Sequence, residues 1–179
     1  MNSHLTKDGK KFIIRRPDEN DAENIINYAK ALFVSTDQVL TTLEEYTITL
    51  QQEKAWITNS LRDSGTLILI AELDDQVVGL LDFAAKPKKK SSHTGEFGIS
   101  VHAGHQGIGI GRALVESLLK WARDNSRIEK VFLNVFETNQ RAISLYKSLG
   151  FIEEGRHIRA IKQATGEYLD ILQLYIETR

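Results

Sequence analysis

The stretch Val101-His-Ala-Gly-His-Gln106-Gly-Ile-Gly109-Ile-Gly111-Arg-Ala-Leu114 decides how this chain is read. Before it, Phe97, Ile99 and Val101 alternate with small or polar residues, which is a strand pattern. After it, Leu114, Val115, Leu118, Leu119 and Ala122 recur at helical spacing. Between the two runs lie Gly107, Gly109 and Gly111. Glycine lets the backbone turn tightly and come close to a ligand, because no Cβ intervenes. A helix start presents unpaired N–H groups and the positive end of the helix dipole. Together these suit an anion such as phosphate or pyrophosphate, although a plain strand-to-helix turn can use the same glycines. Spacing excludes two nucleotide motifs. The Walker pattern needs Gly-Lys-Ser/Thr, and here Gly111 is followed by Arg112 and Ala113. The dinucleotide fingerprint needs G-x-G-x-x-G, and this loop reads G-x-G-x-G.

A second block follows: Asn134-Val-Phe-Glu-Thr-Asn139-Gln-Arg-Ala142-Ile-Ser-Leu-Tyr146-Lys-Ser-Leu-Gly150-Phe151. Gln106 to Gly111 resembles the acyl-CoA loop of the GNAT superfamily of N-acetyltransferases, whose pattern is Gln/Arg-x-x-Gly-x-Gly/Ala. The second block resembles that family's other cofactor segment: a strand, an Asn at a helix start, an Ala-Ile-x-Leu-Tyr helix and a closing Gly-Phe. Both occur in the family's order, with a strand-like run from Val131 to Val135 between them. The resemblance runs from about Phe12 to the last residue and is weakest between Ala31 and Thr49.

The composition fits one soluble globular domain over residues 1–179, with 41% hydrophobic and 26% charged residues. A formal net charge of -1 gives no reason to expect nucleic acid or an anionic membrane as partner. The absence of cysteine removes disulfides, thiolate metal sites and a cysteine nucleophile. The polar start, residues 1–11, lacks an apolar signal core and reads as a loose extension. A cytoplasmic location is the expectation.

Along the chain, Phe12 to Arg15 reads as a strand, and Pro17 with Asp18, Glu19 and Asp21 as a helix start. Ile25, Ile26, Ala29, Leu32 and Phe33 form that helix's apolar stripe. Ser35 to Tyr46 carries no clear pattern. Thr49 with Gln52 resembles a capping box, and Asp63-Ser-Gly65 ends the helix it opens. Thr66 to Leu73 and Gln76 to Ala84 form a hairpin through Asp74-Asp75. A strand starts near Gly95, a helix runs to Asn125, and a strand lies at Val131. A short helix starts at Asn139, a strand at Phe151, and Glu167 to Glu177 is the last strand. This order argues for an α/β fold with a parallel crossover from Gly95 to Val135. The resemblance implies a mixed, mostly antiparallel twisted sheet of about seven strands. Helices flank both faces, and the sheet splays at its two central strands.

The resemblance also implies acetyl-CoA as cosubstrate and transfer of acetyl to a primary amine by direct attack in a ternary complex. Amides of Ile108, Gly109, Ile110, Gly111 and Arg112 would hold the pyrophosphate, with Gln106 and Gly107 shaping the loop. The Arg112 side chain would add positive charge, or is an exposed helix arginine. Backbone groups of Ile99 and Val101 would pair with the pantetheine arm, and an amide at or beside Val101 would steady the oxyanion. Asn139 would bond the same arm, cap its helix, or both. Ala142 and Tyr146 share one helical face. Tyr146 is the candidate acid for the departing thiolate, against a plain core tyrosine.

The attacking amine must lose a proton, and Glu96 is the candidate base if neighbours shield it; an exposed strand-edge carboxylate is the alternative. His93, His102 and His105 are further candidates, and no metal site is expected. Glu44, Glu45 and Tyr46 are candidates for meeting a cationic amine. The Gly-x-Tyr-x-Asp run at Tyr168 and Asp170 is similar to one in the ribosomal-protein and polyamine N-acetyltransferase groups. Lys86 to Lys90 is a basic turn. A homodimer is compatible with the resemblance. A non-catalytic acyl-CoA-binding module and a phosphate-binding regulatory domain are the rival functions.

Overall fold

The hairpin at the middle of the chain sets the frame. β3 (Thr66–Leu73) and β4 (Gln76–Ala85) are joined by Asp74 and Asp75, both left-handed at φ 51 and 61. Asp is one of the few non-glycine residues that accepts this conformation readily. The computed structural model describes residues 2–179. The other strands are β1 (Asn2–Leu5), β2 (Lys11–Arg15), β5 (Thr94–Val101), β6 (Lys130–Phe136), β7 (Ile152–Lys162) and β8 (Tyr168–Glu177). All join one sheet in the order β1-β2-β3-β4-β5-β6-β8-β7.

Helices cover both faces. α3 (Ile110–Asp124) and α4 (Gln140–Ser148) bury Leu114, Val115, Leu118, Ile143 and Tyr146 against Leu69, Leu81, Phe83 and Phe97 of the sheet. α1 (Ala22–Ser35) and α2 (Leu50–Arg62) cover the opposite face, where Ile25 and Ile57 pack on Ile70. The Thr49–Gln52 capping box forms as expected at the start of α2.

Every strand pairing is antiparallel except β5 with β6. That parallel contact covers only Thr94↔Lys130, Gly95↔Val131 and Glu96↔Phe132. Beyond Glu96 the two central strands part, so the expected splay is present. β5 continues to pair with β4 as far as Gly79↔Val101.

Two expectations at the N-terminus need correction. Residues 1–11 are not a loose extension throughout, because Asn2–Leu5 pairs antiparallel with β2 and makes an eighth strand. The turn between them is closed by Thr6, whose Oγ1 accepts from the Lys10 amide at 2.8 Å, and by Gly9 at φ 86. His4 stacks on Phe12 with ring centroids 5.2 Å apart. Asp8-Gly9 is a turn signal that could have revealed this hairpin. Pro17 also does not start α1. A 3-10 turn, Glu19–Asp21, intervenes, capped by Asp18. Arg15 reaches it with two bonds to Asp21, both 2.7 Å, and also bonds Glu72 of β3. This forked contact fixes where α1 begins.

Candidate active site

The glycine loop and the splayed edge of β5 form one side of a cleft. Gly107 and Gly109 are left-handed at φ 82 and 109, and Gly109 is the N-cap of α3. Side chains are strained at such angles, which explains the choice of glycine. A Cβ at Gly107 would lie 2.4 Å from Arg141 Nη2, whereas one at Gly109 would meet no atom within 4 Å. Among the described residues no side chain caps this helix start. Its first amides, Ile110, Gly111 and Arg112, therefore lack intrahelical partners and are free for an anion. The Ile110 side chain is buried in the core, so only its backbone faces the loop. The Ile108 carbonyl accepts from the Lys7 amide at 2.9 Å, so the β1–β2 turn braces the loop.

The direction of the β5 backbone groups follows from one bond. The His102 amide donates to Val78 O of β4 at 2.9 Å. Bonding direction alternates along an antiparallel strand, so Ile99 and Val101 point theirs to the opposite side. There β6 has already departed. Gln106 Nε2 donates to the Val101 carbonyl at 3.0 Å, on the open side, while its Oε1 accepts from Arg141 at 3.0 Å. Gln106 thus braces the loop. What remains exposed is the Val101 amide and both polar groups of Ile99, a free strand edge. Asn139 accepts from the Ala142 amide at 3.2 Å and caps α4. Arg112 donates to Ser148 Oγ at 2.6 Å and lies 3.5 Å from Glu116.

Two cavities meet at this edge. One, of about 330 Å³, is lined by Val101, Gly107, Gly109, Gly111, Arg112 and Ala142. The other, of about 820 Å³, lies on the opposite sheet face between α1, α2 and the residue 36–49 segment. Ile99, Ser100, Asn139 and Tyr146 line both. Tyr146 is 5% exposed, with its ring against Phe97 and Phe151. Burial holds its hydroxyl well above the ordinary phenol range, so it remains protonated. Tyr28 donates to Ser100 Oγ at 2.9 Å, and burial raises its own hydroxyl to about 12.

The carboxylates of the larger cavity differ from the sequence expectation. Glu96 is only half-buried: its side chain is 42% exposed, its Oε1 accepts from Asn134 at 2.7 Å, and Lys86 lies 3.6 Å from its Oε2. Asp82, which sequence reasoning missed, is the shielded one. Burial raises its carboxyl from 3.8 to about 6, its own amide opposes this, and the Glu96 charge adds to it. The register Asp82↔Gly98 and Ala84↔Glu96 makes the two carboxylates diagonal neighbours on one sheet face. Gly98 leaves room beside Asp82, since a Cβ there would lie 3.1 Å from Oδ1. Glu53 of α2, also missed, is 5% exposed and lines the same cavity. Each had a signal. Asp82 interrupts the apolar run Val77 to Ala85, and Glu53 shares a helical stripe with Ile57 and Ser60.

Other candidates lie elsewhere. Tyr46 lines the larger cavity, but Glu44 and Glu45 line neither, and Glu45 instead bonds Thr42 at 2.9 Å. His93, His102 and His105 line neither cavity. His102 accepts from the Gly104 amide at 3.2 Å. Among the described residues no three His, Cys, Asp or Glu side chains gather as a metal site. Tyr168 carries Arg159 over its ring at 4.1 Å, and Asp170 bonds Arg156 at 3.1 Å; neither lines a cavity.

Comparison with known proteins agrees with this geometry. Residues 31–151 match the model of the acetyltransferase (GNAT) family. The L-amino acid N-acetyltransferase AaaT of Escherichia coli (strain K12) is 29% identical over 83% of this chain and 94% of its own length. The spermidine N(1)-acetyltransferase of Vibrio cholerae is 35% identical over 45% of this chain and 46% of its own. A GNAT-family acetyltransferase of Streptococcus pneumoniae superposes with TM-score 0.90 at 22% identity, over 93% of this chain and 99% of that one. An acetyltransferase from Salmonella typhimurium, solved with acetyl-CoA, superposes with TM-score 0.82 at 23% identity, over 94% of each chain. The splayed edge, the uncapped helix start and these matches lead to one assignment: the chain belongs to the GNAT family of acetyltransferases.

Proposed function

We propose that this protein transfers the acetyl group of acetyl-CoA, the family's cosubstrate, to a primary amine by direct attack in a ternary complex. The observation that carries the reading is the meeting of two cavities at Tyr146. A donor held in the smaller cavity and an amine held in the larger would face each other there. The donor cleft fits an acyl-CoA. Free amides at Ile110, Gly111 and Arg112 suit the pyrophosphate, with Ile108 and Gly109 completing the loop. The edge of Ile99 and Val101 suits the pantetheine amides, and Asn139 and Ala142 wall the arm. The Val101 amide, on the open side of β5, would face the carbonyl oxygen on which negative charge develops. The binding-module alternative gains nothing from this arrangement.

Asp82 and Glu96 form the proton-accepting pair in this reading. One ammonium proton passes to the pair, the amine nitrogen forms the new C–N bond, and the C–S bond breaks. Tyr146 gives its proton to the sulfur and regains one from the second N–H proton through water. The net products are an amide, a free thiol and one proton. We further propose that the protein is cytoplasmic and forms a homodimer. No helix among the described residues is long and apolar enough to cross a membrane.

The test is free-thiol release from acetyl-CoA across monoamines, diamines, amino acids and short peptides. Turnover with at least one amine is expected. Acetyl-CoA binding without turnover on any amine would overturn the catalytic reading. No binding would overturn the loop assignment as well.

A further inference from the structure

We infer that the larger cavity selects an amine bearing a second positive charge, and that Glu53 holds the second ammonium. Among the described residues the charged side chains lining this cavity are Glu53, Asp82 and Glu96, and no Lys, Arg or His joins them. A wall of one sign concentrates ions of the other. Glu96 already has Asn134 and Lys86. Apart from the Asp82 amide acting on its own carboxylate, Asp82 and Glu53 have no side-chain hydrogen bond or ion pair among the described residues.

Glu53 carries the inference. The residue as a whole is 5% exposed, its carboxylate oxygens open on the cavity, and it has no partner among the described residues. Carboxylates this shielded are normally paired, since an isolated buried charge is costly. Burial accordingly pushes its carboxyl upward. A cation entering the cavity supplies the missing partner. Asp82 sits on the sheet floor beside Gly98 of β5, and Glu53 sits on the α2 wall. Ile25, Leu32, Phe33 and Trp56 provide apolar lining suited to a methylene spacer. A simple monoamine would leave Glu53 unpaired. A free amino acid would bring its carboxylate against three others. An aliphatic diamine satisfies both ends. The choice of the reacting end rests on the transfer reading above, but the cation site itself does not.

The experiment measures calorimetric binding, with CoA present, of diaminopentane, pentylamine and aminohexanoate, alongside thiol release from acetyl-CoA with each. The expected result is binding of the diamine about tenfold or more tighter than the monoamine, with aminohexanoate weakest. Glu53→Gln should bring the diamine-to-monoamine ratio toward one, mainly through KM, and Glu53→Asp should restore part of it. Removing a buried unpaired carboxylate does not threaten folding, so the variant remains readable. Equal binding of diamine and monoamine, or an unchanged ratio in Glu53→Gln, overturns the inference. Diamine preference in binding without thiol release supports the cation site and refutes acetyl transfer. Thiol release without preference refutes the cation site and leaves acetyl transfer standing.

Discussion

Asp82→Asn should make the protein more stable at neutral pH, by an amount that shrinks in acid. Asp82 is shielded and its carboxyl titrates near 6 in the folded protein, against 3.8 when unperturbed. Between those values the folded state binds more protons than the unfolded one. Stability therefore falls as pH rises through the window from 3.8 to about 6, and is flat above it. At about 1.4 kcal/mol per pH unit the full cost reaches about 3 kcal/mol at pH 7. Access from the cavity makes this an upper figure. At pH 5 the same linkage gives about 1.5 kcal/mol. The asparagine has no charge to desolvate, so its advantage should grow by about 1 to 1.5 kcal/mol between pH 5 and pH 7. Any cost of burying the amide is the same at both pH values and cancels. Urea unfolding of both proteins at the two pH values measures this difference, and thermal melts at pH 7 should differ by roughly 6–12 °C at the upper figure. A stability difference that does not change with pH would refute the partly buried, ionising Asp82. The same group predicts that wild-type kcat/KM rises through about pH 6 and then levels, a limb that Asp82→Asn should lose.

Three more outcomes follow from the loop and the splay. Gly109→Val places a β-branched residue at φ 109 and should cost about 1–3 kcal/mol. Calorimetry should also show weakened acetyl-CoA binding, and wild-type affinity would remove the loop assignment. Gly95→Ala should destabilise by about 1–3 kcal/mol in urea, since its Cβ would lie 2.1 Å from Phe83 Cζ and 2.8 Å from the Ala84 carbonyl. An unchanged midpoint would show that Phe83 can move aside. Arg141→Ala frees Gln106 and should weaken acetyl-CoA binding by about 0.5–1.5 kcal/mol, with little change in global stability.

The elements that announce themselves locally were legible in the sequence. The Asp74-Asp75 turn, the Thr49–Gln52 box and the helical stripe from Leu114 to Ala122 depend on neighbours in the chain, and each forms where expected. The parallel contact and splay of β5 and β6 were legible through the resemblance carried by Gln106 to Gly111 and Asn139 to Phe151. The cleft proposed here for the donor was therefore readable before the fold was known. The acceptor side was not. Asp82 becomes a shielded carboxyl only because Gly98 lies across from it and α1 and α2 roof the sheet. Glu53 becomes an unpaired buried acid only when α2 docks. Glu96 illustrates the converse: its neighbours Gly95, Phe97 and Gly98 suggested partial shelter, and the fold leaves it half-buried but already paired with Lys86 and Asn134. β1 was missed because Asn2–Leu5 is short and mostly polar, with no alternating pattern, and its supports, His4 on Phe12 and Lys7 on Ile108, exist only once the chain has folded.

The most direct test of acetyl transfer at the meeting point of the two cavities is Tyr146→Phe, read as kcat for thiol release together with acetyl-CoA affinity. Among the described residues the Tyr146 hydroxyl makes no hydrogen bond, and its ring packing against Phe97 and Phe151 is kept by phenylalanine. Folding and acetyl-CoA affinity should therefore be preserved. Turnover on the best amine should fall by about 100-fold or more, the loss of a positioned acid. Unchanged turnover would contradict the role of Tyr146 and with it the placement of the reacting atoms.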